Sequence, residues 1–132
     1  MRNTLSKPER LTGKKTLSEL HQSGEVFKEY PFILMVKPFN FENNVPARLA
    51  ISVPKRKVKL AVKRNLMKRL AREAYRKQKN DLFATLTQNK TQLALLLIYT
   101  GDEKFTNDIA EIKITKLLSR LIRKLSPQHP II

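Results

Sequence analysis

The chain has 132 residues, with 27 Lys and Arg against 11 Asp and Glu, a net charge of +16 and no cysteine. That length suits one domain with a real hydrophobic core, and the charge suggests an anionic partner, nucleic acid ahead of an acidic membrane surface. The missing cysteines exclude a disulfide framework, a Cys-based zinc site and a thiol nucleophile, while three scattered glycines (Gly13, Gly24 and Gly101) cannot build a phosphate-cradling loop or a dinucleotide fingerprint.

Residues 1–15 are basic and polar and read as a loosely ordered arm. They contain no apolar segment of the kind a secretory signal needs. Thr16 and Glu19 have capping-box spacing, and Leu17 and Leu20 give a short helix one apolar side, with Gly24 as its stop. The run PFILMVK from Pro31 to Lys37 reads as a strand with Phe32, Leu34 and Val36 on one face and Ile33 and Met35 on the other. From Arg48 to Pro54, Leu49, Ile51 and Val53 face one way and Arg48, Ala50 and Ser52 the other, which predicts a second strand paired with the first. Its small second face leaves a shallow concavity if nothing bulky covers it. A long helix is expected from about Leu60 to Lys79, with Asn80 and Asp81 capping a further short helix through Leu82, Phe83 and Leu86. Gln92–Thr100 is continuously apolar and fits a strand buried on both faces, although period alone leaves a buried helix open. It is too short to span a bilayer, so a cytoplasmic protein is expected. A last helix from about Asn107 carries Ile109, Ile112, Leu117, Leu121 and Leu125, with early acids and late cations that suit its dipole, and Pro127 stops it. The chain thus divides into the arm, a single domain over 16–126 and a short tail over 127–132. The order αββα(α)βα implies an α+β fold, a small sandwich of a sheet with helices packed on it.

Residues Lys55 to Lys79 hold twelve of the 27 cations and one acid, Glu73. On a helix, Leu66, Met67, Leu70, Ala71 and Ala74 share one arc, while Arg64, Lys68, Arg72 and Arg76 run along the opposite side, flanked by Asn65 and Arg69. Like charges at i, i+4 repel by a few tenths of a kcal/mol per pair, so a ridge of this kind is expected to meet a polyanion. Arg can grip phosphate through two bonds, and Asn65 can donate to a phosphate or a ribose hydroxyl. Side-chain catalysis has little support. His21 and His129 stand alone, Asp102 and Glu103 read as a solvated turn, and no Ser/His/Asp set assembles.

The segment LAISVPKR followed by KRNLMKRLAREAYR resembles the signature region of the bacterial ribonuclease P protein subunit. The matching positions are Ser52, Val53, Lys55 and Arg56, then Arg64, Asn65, Lys68, Arg69, Arg72, Glu73, Ala74 and Tyr75. Arg10 and Leu11 match the family's opening, Gly24 its first helix end, and the last strand and helix its closing half. The resemblance implies an α-β sandwich with a left-handed βαβ crossover, which handedness rules would not predict. It also implies binding to the catalytic RNA of ribonuclease P and to the 5′ leader of precursor tRNA, with Mg²⁺ held mainly by RNA. Removal of the leader is then RNA chemistry, with no catalytic side chain and no protein metal site. Neither a membrane nor a stable protein partner is expected.

Carried over by position, RNA contacts fall on Lys55, Arg56, Lys63, Arg64, Asn65, Lys68, Arg69, Arg72 and Arg76. The leader cleft falls on Leu17, His21, Ile33, Met35, Ser52 and Arg56. Three positions depart from the family pattern: Leu66 replaces the third cation of the Arg-Asn-Arg triplet, Leu17 and His21 stand where aromatics are usual, and the loop KRKVKLAV is one residue longer and lacks its glycine. The rival reading is a ribosomal-type structural RNA-binding protein with no role in processing. A helix-based DNA-binding module lacks a helix-turn-helix spacing here, and a membrane-surface helix lacks bulky aromatic anchors.

Overall fold

The structure, a computed structural model, describes residues 9–41, 44–101 and 106–125. Most of the expected arm, the expected turn at Asp102 and Glu103, and the tail with Pro127 and His129 lie outside the described residues. The elements run α1 (Lys14–Ser23), β1 (Glu25–Glu29), β2 (Phe32–Pro38), β3 (Ala47–Ser52), α2 (Ala61–Gln88), β4 (Leu93–Tyr99) and α3 (Asn107–Leu125). They form an α+β fold around one four-stranded mixed sheet of order β1-β2-β4-β3, with β3 parallel to β4 and the other pairs antiparallel.

The strand faces divide as the sequence pattern predicts. Phe32, Leu34, Val36, Leu49, Leu95 and Leu97 join the main core beneath α2 and α3. Ala94 and Leu96 face the other way and form a smaller cluster with Leu11 and Leu20, against which Leu17, Met35, Ala50 and Ile98 pack. The expected pairing of β2 with β3 is not found. Strand β4 lies between them, because a strand apolar on both sides belongs in the middle of a sheet covered on both faces. The parallel β3–β4 pair is joined through α2, as a parallel connection requires.

Other expectations change as well. Strand β1 escapes sequence patterning because it is an edge with a single buried residue, Phe27. Helix α2 runs unbroken through Asn80 and Asp81 to Gln88. No Gly or Pro interrupts it, and Met67, Ala71, Ala74, Tyr75, Leu82 and Leu86 form one continuous buried stripe. The capping box at Thr16 is not used: α1 starts at Lys14, after Gly13 at φ 102°, with no side-chain cap bond. Gly24 does end α1, for a reason of space rather than of positive φ, since a Cβ there would stand 2.4 Å from the Leu20 carbonyl oxygen. In α3 the buried stripe runs through Ala110, Ile114, Leu117, Leu118 and Leu121, leaving Ile112 exposed. Residues 9–13, expected in the arm, are part of the fold. Arg10 bridges to Leu49, the Leu11 N–H donates to the Leu49 carbonyl at 2.9 Å, and Lys79 pairs with Glu9.

Candidate nucleic-acid interface

The cationic side of α2 is set by its buried stripe: with Met67, Ala71 and Ala74 against the sheet, the charged positions are turned outward. Lys63, Asn65 and Arg69 are exposed, while Arg64, Lys68, Arg72 and Arg76 are half-buried. Among the described residues, Lys68, Arg69 and Arg72 have no carboxylate partner. Burial, together with the charges of Arg10 and Arg69, lowers the Arg72 pKa from the ordinary guanidinium value. Burial is the larger cause and the two neighbouring cations add to it, and a positive cluster of this kind attracts anions.

Two expected members of the ridge behave differently. Arg64 turns back on its own loop, its Nη1 donating to the carbonyls of Val58 at 2.9 Å and Lys59 at 2.8 Å. It fixes the turn that presents Lys55 and Arg56, both exposed, while buried Val58 anchors that turn from below. Leu66 was expected to pack with the apolar arc but is 45% exposed. It lies one position outside the stripe defined by Met67 and Ala71, and with Leu60 and Val62 it gives the start of α2 an apolar surface beside its cations.

The expected cleft residues come together in part. Strand register sets Ile33, Ile98 and Ser52 in one cross-strand row and Met35, Leu96 and Ala50 in the next, all on the α1 side of the sheet. Leu17 packs over this face. His21 is exposed in the last turn of α1, and Arg56 lies in the loop beyond β3. Sequence reading assigned no contact role to Arg10. A groove of about 390 Å³ at the β3 edge is lined by Arg10, Leu11, Thr12, Leu49, Ala50, Ile51 and Arg72. It joins the cationic side of α2 to the shallow sheet face through Ala50. The available signal was the Arg10-Leu11 pair, whose docking on β3 depends on a long-range bridge that local patterning does not reveal.

Among the described residues no three His, Asp or Glu side chains converge on a possible metal site, and no helix is long and apolar enough to cross a membrane. The arrangement sets a row of cations on the outer side of α2 beside a shallow sheet face.

The family model for ribonuclease P matches residues 5–124. The ribonuclease P protein component of Chlorobaculum tepidum is 31% identical over 136 aligned positions, covering 96% of this chain and 88% of that protein. That of Porphyromonas gingivalis is 31% identical over 99, covering 75% and 72%. In fold, the chain is similar to the RNase P protein of Staphylococcus aureus, with a TM-score of 0.68 at 19% identity over 86% of this chain and 94% of the other. The RNase P protein from Thermotoga maritima gives 0.67 at 20%, over 85% and 96%. The chain belongs to the ribonuclease P protein component family.

Proposed function

We propose that this protein component of the ribonuclease P ribonucleoprotein lays α2 along the catalytic RNA and holds the 5′ leader of precursor tRNA on the α1 face of the sheet. The observation that carries the reading is the continuity of the two surfaces. Lys68, Arg69 and Arg72, with no carboxylate partner among the described residues, lead through the Arg10–Arg72 groove to a sheet face with a small-residue floor at Ala50 and Ser52. Lys68, Arg69 and Arg72 neutralise phosphates and give affinity with little base preference. Ile33, Met35 and Leu17 offer an apolar floor to bases freed from pairing, and Ser52 a hydroxyl at its end. Arg64 acts mainly by ordering the loop that carries Lys55 and Arg56.

In this reading Mg²⁺ is held mainly by the RNA, where it would supply the phosphodiester chemistry. The chain's contribution is position: holding leader and RNA together turns two binding events into one. Reconstitution tests the reading. Added to a bacterial ribonuclease P RNA at low Mg²⁺, the chain should restore 5′ leader removal and favour leader-bearing over mature tRNA. Tight RNA binding with no gain in processing would point to a structural RNA-binding protein instead.

A further inference from the structure

We propose that Phe39, Phe41 and Arg48 form a stacking site for an unpaired nucleobase at the far end of the α1 face. This inference rests on the reading of that face as a single-strand site and extends it to residues assigned no part so far. Continuing the cross-strand rows, the third consists of Lys37, Ala94 and Arg48. Along β3, Arg48 is four residues from Ser52, about 13 Å, so a strand lying over Ser52 reaches Arg48 within a few nucleotides.

Among the described residues, the rings packed on this face come from the segment between β2 and β3. Helix α1 carries no Phe, Tyr or Trp, and Phe27, Phe32, Tyr75 and Tyr99 all belong to the core on the opposite side. Phe39 and Phe41 pack on the α1-side cluster, half-buried, each with part of its ring open. They stack with centroids 6.0 Å apart and planes 12° from parallel, and the Arg48 guanidinium carbon sits 4.4 Å from the Phe41 centroid. Beside Phe39 lies a hollow of about 420 Å³ lined by Pro38, Asn40, Lys90, Thr91 and Gln92 as well, roomy enough for a nucleotide and edged by a cation.

The segment is held ready. The Phe39 N–H donates to the Gln92 carbonyl at 3.0 Å, the Phe41 N–H to Gln92 Oε1 at 3.0 Å, and Gln92 Nε2 to the Val45 carbonyl at 2.9 Å. Rings fixed before binding lose little entropy when a ligand arrives. Arg48 Nε is buried without a hydrogen-bond partner among the described residues. A plain packing role would be met by aliphatic side chains, without a guanidinium set over the Phe41 ring. An unpaired nucleotide suits this pair: the π face of its base continues the stack on Phe or on the guanidinium plane, and its phosphate lies against the positive charge of Arg48. Every base has such a face, so the site tolerates sequence.

The probe is a short unstructured RNA carrying one fluorescent adenine analogue, moved position by position and bound to the full chain. The analogue should be quenched at one position or two adjacent ones, and an abasic nucleotide there should weaken binding about 5- to 100-fold. Phe41→Leu and Arg48→Ala should cause a similar loss with intact RNA, and little further loss with the abasic RNA. Equal losses with intact and abasic RNA would overturn the stack in favour of packing. Absence of quenching at every position on the unaltered protein would overturn it too, and needs no variant to fold. Failure to restore leader removal, with quenching and coupling intact, would remove the ribonuclease P reading of the face but not the stack. Normal processing without coupling would remove the stack alone.

Discussion

The two faces of the sheet differ in what covers them. Beneath α2 and α3 the strands present Leu34, Leu49, Leu95 and Leu97, closed over by Tyr75, Leu82, Leu86, Ile114 and Leu117. On the α1 side the buried members among the described residues are Leu11, Leu20, Ala94 and Leu96, with a rim of half-buried residues. The same strands build both faces, so secondary structure cannot account for the contrast. It follows from which parity of each strand carries the bulk. In β3, Leu49 and Ile51 turn toward α2, and Ala50 and Ser52 toward α1. Most of the buried apolar bulk lies on one face, and the other carries a smaller cluster with a half-buried rim.

The largest expected effect tests that division directly. Leu95→Ala removes a fully buried side chain under α2 and α3 and should destabilise the chain by about 2–5 kcal/mol, seen as a lower urea midpoint. RNA affinity per folded molecule should not change. Ala50→Leu is the counterpart on the open face: the unfolding midpoint should move by less than about 1 kcal/mol, while affinity for leader-bearing substrate falls about tenfold and affinity for mature tRNA holds. A large loss of stability at Ala50 with no loss of leader affinity would show that both faces serve packing.

Cations repeat the contrast at the next scale down. On α3, Arg120 donates to the Lys28 carbonyl at 2.7 Å and pairs with Glu29 at 2.9 Å, and Lys124 pairs with Glu25. Both also lie over the Phe27 ring. These cations hold the edge strand. Lys68, Arg69 and Arg72 on α2 have no such partner among the described residues. Arg72→Ala should therefore lower the slope of log affinity against log salt for the RNA by about one. Arg120→Ala should leave that slope unchanged and cost about 1 kcal/mol or less of stability. Equal slopes for both variants would erase the distinction between the helices.

Much of this was legible in the sequence, and the exceptions have physical causes. The face division of β2 and β3, the double burial of β4 and the cationic side of α2 are properties of spacing, which survives any tertiary arrangement. Strand order was not legible, because spacing says which residues share a face and nothing about which strand lies alongside. Edge strand β1 is held by its ladder to β2, by Phe27 and by the cations of α3, which come from the opposite end of the chain. Asn80 and Asp81 look like a cap in isolation, but the stripe from Tyr75 to Leu82 and Leu86 overrides them. At the interface, the matched positions identified the ridge but not the inward turn of Arg64 or the docking of Arg10 beside Arg72. Both depend on carbonyls and bridges that leave no residue pattern.

The smallest expected effect compares the two sides of α2 itself, at neighbouring positions. Tyr75 is 2% exposed, and its hydroxyl has no hydrogen-bond partner among the described residues. Burial, and then the nearby Glu9 charge, push its pKa well above the ordinary phenol value. The folded chain therefore keeps this proton where the unfolded chain, with a tyrosine pKa of about 10, has lost it. The resulting stability is intact below about pH 10 and declines as pH rises beyond it, by up to about 1.4 kcal/mol per unit. Tyr75→Phe deletes the titration and an unbonded buried hydroxyl together. Near neutral pH it should change stability by about 1 kcal/mol or less, in the stabilising direction, with RNA affinity untouched. Above about pH 10 its urea midpoint should fall less steeply than that of the unaltered chain, and taking the difference cancels the lysines that titrate in the same range. Parallel midpoint curves, or a weaker grip on RNA in the variant, would mean that this side of the helix is not the dry one and that α2 is seated in a different rotation on the sheet.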